Sequence, residues 1–191
     1  FYESQILEYG GDVASLGSGG VSSGKTFTPG ISVISPAASA DVEIPVLSFN
    51  YGDIVGFNNF LQISYLYPTS RGILTGNIRY FGANILNQGL NNAAHINLNF
   101  SKVFTEKFFV GIGLNFLKAE YIEGNKIALG MNLGAIYHLY PYTIQRKDKL
   151  LKNLRIGASF LNIGNAFSQA GEVISPPFVF RAGPSLDLNL I

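Results

Sequence analysis

The octapeptide Gly19-Gly20-Val21-Ser22-Ser23-Gly24-Lys25-Thr26 has the G-x-x-x-x-G-K-[ST] spacing of a phosphate-binding loop. That chemistry needs a buried strand leading into the glycines and a helix leaving them, so that backbone N–H groups converge on the phosphates. Neither is written here. Residues 9–18 hold no strand-length β-branched run, and Pro29-Gly30 would end a helix within its first turn. No apolar strand ending in Asp follows to hold a magnesium ion. The match is read as chance in a Gly/Ser-rich segment, and no nucleotide is expected.

Other chemistry is sparse. His95 and His138 are the only histidines, and the chain has no cysteine, so thiolate metal sites, disulfides and Cys nucleophiles are excluded. The histidines fall on separate predicted strands among small polar residues, as polar lining rather than a metal pair. No spacing of Ser, His and Asp suggests a catalytic triad. Neither catalysis, a metal nor a cofactor is expected. Arg79, Arg155 and Arg181 share one strand parity with Asp187 and could bind carboxylate or phosphate. The favoured reading is a structural network with Asp187 or with Glu3, Glu8, Asp12 or Glu43, because inward arginines need partners. A net charge of +1 gives no electrostatic reason to expect nucleic acid.

The elements that must position these residues alternate with period 2 from about residue 45 onward. In 94–101, Ile96, Leu98 and Phe100 fall on one face and His95, Asn97, Asn99 and Ser101 on the other. In 108–116 the large apolar residues alternate with Gly111, Gly113 and Asn115, and in 127–139 the parity is exchanged. Similar runs near 46–51, 60–67, 72–81, 153–161 and 178–190 bring the expected total to about eight strands. Tight turns at 68–71 and 105–107 alternate with longer connections near 52–58, 82–92, 119–125 and 163–176; the one near 141–152 is long and cationic. Residues 1–44, with Pro29 and Pro36, read as an N-terminal plug or linker, and 45–191 as the strand domain.

Composition then chooses the class. Of the 191 residues 47% are hydrophobic and only 13% charged, against roughly 25% charged in ordinary domains. No apolar run approaches the ~20 residues of a spanning helix. A second face of Gly, Ser, Asn and Ala cannot fill a core the way a sandwich or lipocalin-like barrel requires. Tyr65, Tyr67, Phe104 and Phe108 lie near strand ends, where an aromatic girdle would fall. The expectation is therefore an all-β, antiparallel, up-and-down transmembrane β-barrel. A soluble β-domain is the alternative.

Several stretches in order resemble the PorV/PorQ group of outer-membrane proteins, related to the FadL long-chain fatty-acid channels. These are "DVASLGSGGVSSG" followed by Ser35-Pro36-Ala37, "TEKFFVGIGLNFLKAEY", "ALGMNLGAIYHLYP", "NLRIGASFLNIGNAF" with Asn162-Ile163-Gly164, and "PPFVFRAGPSLDLNL". Ser35 stands where the group has Asn. The resemblance implies a barrel of about fourteen strands with an N-terminal plug, of which this chain, read as mature or trimmed, carries about eight. It also implies a bacterial outer-membrane location and contact with outer-membrane lipid. The implied function is passive transport or binding of a hydrophobic small molecule such as a fatty acid. A non-transporting scaffold, partnered by secretion-system proteins as in type IX secretion, is the second reading. The two differ inside: a conduit needs an apolar cavity, a scaffold a sealed one.

Overall fold

A computed structural model describes residues 29–54, 57–82, 90–122, 124–139, 151–168, 173–174 and 178–188. The phosphate-loop match, Glu3, Glu8 and Asp12 lie outside them.

The alternating segments form strands: β1 (Val46–Ile54), β2 (Phe57–Thr69), β3 (Gly72–Gly82), β4 (Leu90–Thr105), β5 (Phe108–Tyr121), β6 (Gly124–His138), β7 (Leu151–Ser168), β8 (Val173–Ile174) and β9 (Val179–Leu188). All pair antiparallel in one sheet, in the order β1 to β8, with β9 also on β7. β8 and β9 follow each other along the same side of β7, against 166–167 and 151–161 respectively. Side-chain hydrogen bonds hold the tight turns. The Thr69 hydroxyl donates to the Gly72 carbonyl at 2.6 Å, and the Phe108 N–H donates to Thr105 Oγ1 at 3.1 Å.

Two bulges re-aim the strands. Asn59 and Asn162 are the described non-glycine residues with positive φ, each at 61°. Each lies at a register shift, between Asn58 and Phe60 in β2 and opposite Met131–Leu133 in β7. Asn tolerates the left-handed region better than other side chains, and one extra residue there lets the strand twist. At the second bulge Leu161 and Asn162 are both buried although adjacent.

The expected closed transmembrane barrel is not what forms. Among the described residues β1 pairs only with β2, and β9 only with β7, so the sheet is open and has free edges. An outer-membrane location fails on the same ground. Hydrocarbon offers no hydrogen-bond partner, so a lipid-exposed open edge would leave its N–H and C=O groups unsatisfied. No helix among the described residues is long and apolar enough to cross a membrane; that fact does not bear on strands.

The two faces differ sharply. One carries large apolar side chains open to solvent, among them Ile78, Leu98 and Leu114 at 58%, 58% and 60% exposure. The other is polar yet buried, because residues 29–42 lie across it as two short 3-10 turns, Pro29–Val33 and Pro36–Ser39. The first turn packs on β1 to β4 and the second on β4 to β6.

Candidate functional site

The polar face is built by cross-strand register. Ser48, Ser64, Asn77, Asn97 and Asn115 stand directly opposite one another from β1 to β5. Their amides make a chain of hydrogen bonds. Asn77 Nδ2 donates to Asn97 Oδ1 at 3.0 Å, Asn97 Nδ2 to Asn115 Oδ1 at 2.6 Å, and Asn115 Nδ2 to Asn132 Oδ1 at 2.8 Å. Asn99 Nδ2 also donates to Asn97 Oδ1. Their amide nitrogens are met in this way, each lost partner costing about 1–3 kcal/mol, while Asn77 Oδ1 and Asn99 Oδ1 are buried with no hydrogen-bond partner.

This ladder is also what holds residues 29–42. Ser32 Oγ accepts from Asn77 Nδ2 at 3.0 Å and Asn99 Nδ2 at 3.1 Å, while donating to the Pro29 carbonyl at 2.6 Å. The Val33 carbonyl accepts from Asn132 Nδ2 at 2.8 Å and the Ile34 carbonyl from Ser159 Oγ at 2.9 Å. Pro36 and Ala37, singled out by the family resemblance, sit over Gly111 and Gly134, which face each other across β5 and β6. A Cβ on Gly111 would fall on the Pro36 backbone, and one on Gly134 would lie 2.9 Å from Pro36 Cδ. Ala37, Ala38 and Ile31 then pack with Phe109 and Ile136. The other two motif residues belong to the β7 bulge. The Asn162 N–H donates to Asn132 Oδ1 at 2.8 Å, and a Cβ on Gly164 would meet the Leu129 carbonyl oxygen.

The charged candidates do not converge on one point. Arg79 and His95 are opposite one another in β3 and β4, both fully buried, and Arg79 Nε donates to His95 Nδ1 at 2.9 Å. Burial first, and the Arg79 charge second, hold the His95 pKa well below its ordinary 6.5. His95 is therefore neutral and accepts through Nδ1. The Arg79 guanidinium also lies 5.7 Å from the Phe81 ring centroid. His138 is buried against Phe109, ring centroids 4.4 Å apart, away from that pair. Arg155 is buried opposite His138 on the neighbouring strand, while Arg181 is half-buried. Asp187 pairs with Asn153 through the backbone, and its side chain lies outside the described set. The acid that feels Arg155 is Asp41, at the end of the covering segment. Burial raises the Asp41 carboxyl from 3.8, against a backbone hydrogen bond and the Arg155 charge, which lower it. Glu43, offered as a partner from sequence, is exposed.

Among the described residues no group of three or more His, Asp or Glu side chains could hold a metal ion. Sequence reading found Asn97 and Asn99 but missed Asn77, Asn115 and Asn132 as one system. The available signal was recurrence: each of these asparagines falls on the small-residue parity of its own strand.

No protein-family model, no curated protein and no solved structure matches this chain. The resemblance to the PorV/PorQ and FadL-related proteins is thereby withdrawn, since neither a family match nor a closed barrel supports it. Its implied partners go with it. An open sheet gives no basis for an outer-membrane lipid contact. A polar face filled by Ser32, Ile34 and Pro36 gives none for a fatty acid, and secretion-system proteins followed from the resemblance alone.

Proposed function

We propose that this chain is a non-catalytic scaffold that binds protein through the exterior of its sheet. The observation that carries the reading is the sealing of the polar face. Residues 29–42 are hydrogen-bonded across it and almost wholly buried, so the surface left for work is the opposite, apolar face. Contiguous apolar surface beyond a few hundred Å² marks an interaction site. Burying it returns about 25 cal/mol per Å². Tyr51, Tyr65, Tyr67, Tyr80 and Tyr137 are exposed among the aliphatic side chains of that face. Large aromatics with a polar tip are what protein interfaces enrich.

The test is a photo-crosslinking residue placed in turn at Ile78, Leu98 and Leu114, on three adjacent strands of the apolar face. The expected result is one identified protein captured from all three positions. That protein, once purified, should bind with a Kd weakened at least about tenfold by Leu98→Lys, as for a central contact. Adducts to lipid or detergent alone, or no protein adduct, would overturn the reading.

A further inference from the structure

The edge of the sheet at β1 is built to accept another strand. Among the described residues its far side has no strand beside it. Leu47, Phe49 and Tyr51 are correspondingly the most open of the apolar rows, at 71%, 66% and 67% exposure. Natural edge strands are blunted by charge, Pro or short length. β9 carries Arg181, Pro184 and Asp187, whereas β1 (Val46–Ile54) has no Pro and a single charged residue, Asp53, next to its last residue, leaving 46–52 uncharged. A second, independent observation lies on the polar side. Asn50 stands opposite Gln62, yet its Nδ2 is buried with no hydrogen-bond partner. One strand further in, Gln62 Nε2 is satisfied by Ser64 Oγ at 2.9 Å. The polar row that runs His95, Arg79, Gln62, Asn50 therefore ends at β1 with a donor still unmet.

We propose that β1 pairs antiparallel with β1 of a second copy of this chain, with Phe49 opposite Phe49. A two-fold axis normal to the sheet keeps both polar faces on one side, so the pairing is isologous. In this register Ser48 stands opposite Asn50 of the second copy, twice over. The unmet amide gains a Ser Oγ acceptor, as Gln62 does within the chain. On the apolar side Leu47 meets Tyr51. No residue charged at neutral pH lies within 46–52, and in this register Asp53 of each copy falls opposite Pro45 of the other, so the copies approach without like-charge repulsion. β9 offers no such self-match, because Pro184 lacks a donor. A single strand pair buries less than the ~1,200 Å² of stable interfaces, so the dimer is weak and concentration-dependent. The inference uses the edge of the sheet, not its apolar face, and stands or falls separately from the scaffold reading.

Because the chain has no cysteine, single replacements report cleanly. Leu47→Cys and Tyr51→Cys variants, alone and mixed, are treated with a bis-maleimide crosslinker of roughly 8 Å reach at rising protein concentration. Opposed Cβ atoms lie about 5 Å apart. Leu47 of the two copies would be about 13 Å apart, at four residues of ~3.3 Å. The mixture should give at least tenfold more dimer than either variant alone, Phe49→Cys should crosslink to itself, and Leu74→Cys, on β3, should not. Equal yields for mixed and single variants overturn the proposal. So do equal crosslinking at Leu74→Cys, an adduct to another protein in place of the dimer, or no dimer at any concentration. Circular dichroism of each variant confirms that the sheet is intact.

Discussion

Replacing Gly111 by Ala tests how the polar face is covered. The added Cβ lands on the backbone of Pro36 rather than on the end of a flexible side chain, so it cannot be relieved by a rotamer change. Either residues 36–39 lift, or β5 and β6 shift. Overpacking a filled site costs about 1–3 kcal/mol, occasionally more, and a backbone obstacle belongs at the upper end. Lifting the second 3-10 turn also uncovers Ala37 and Ala38, both buried with Phe109 and Ile136. A loss of about 3 kcal/mol is expected. With a urea slope of about 2 kcal/mol/M, the unfolding midpoint falls by about 1.5 M. The matched control is Gly52→Ala, where nothing lies within 4 Å of the new Cβ, and the midpoint should hold. Limited proteolysis should cut the 29–42 region faster in Gly111→Ala only. Midpoints within about 0.3 M of each other would refute the close seating of Pro36 on the glycine pair.

Asn97→Ala removes the acceptor of Asn77 and Asn99 and the donor to Asn115. Unfolding by urea should show a loss of about 3 kcal/mol, from stranded buried amides, and a loss under 1 kcal/mol would argue against the ladder. Asn162→Gly, in the left-handed region at φ 61°, should be within about 0.5 kcal/mol of the parent, whereas Asn162→Val should lose 1–3 kcal/mol. Thermal unfolding of the pair reads this directly. His95 has its folded pKa lowered below 6.5, so below that pH the unfolded chain binds the extra proton. Its contribution is fully present above 6.5 and lost as pH falls toward the folded value, at up to about 1.4 kcal/mol per pH unit. His95→Gln should flatten that limb of the stability–pH curve. Asp41, raised from 3.8, has the opposite sign: its contribution is present below 3.8 and lost as pH rises through its folded value. Asp41→Asn should remove that dependence.

Period-2 patterning made the strands legible. Residues 94–101 and 108–116 lie inside β4 and β5, and Ile96, Leu98, Ile112, Leu114 and Phe116 face away from residues 29–42, while Phe109 packs against them. The turns at 68–71 and 105–107 were legible for the same reason, because the alternation stops there. Closure was not, since alternation states which face a side chain takes and nothing about what lies beyond the edge strand. Apolar residues on one face and Ser, Gly and Asn on the other describe a barrel wall and an open sheet with a covered polar side equally well. The covering segment was illegible too. Two short 3-10 turns have no hydrophobic period, and their bonds to Asn77, Asn99 and Asn132 span 45, 67 and 99 residues.

Whether the polar face is sealed separates a scaffold from a conduit, and thiol alkylation measures it. Ser64 and Ile63 are neighbours on β2, fully buried on the polar face and exposed on the apolar face respectively. In the folded chain, Ile63→Cys should react with a maleimide at the rate of a free thiol. Ser64→Cys should be slower by at least about a hundredfold, and should speed up when Gly111→Ala is added. Equal rates at the two positions would mean that the polar face is open to water, and the scaffold reading would be wrong.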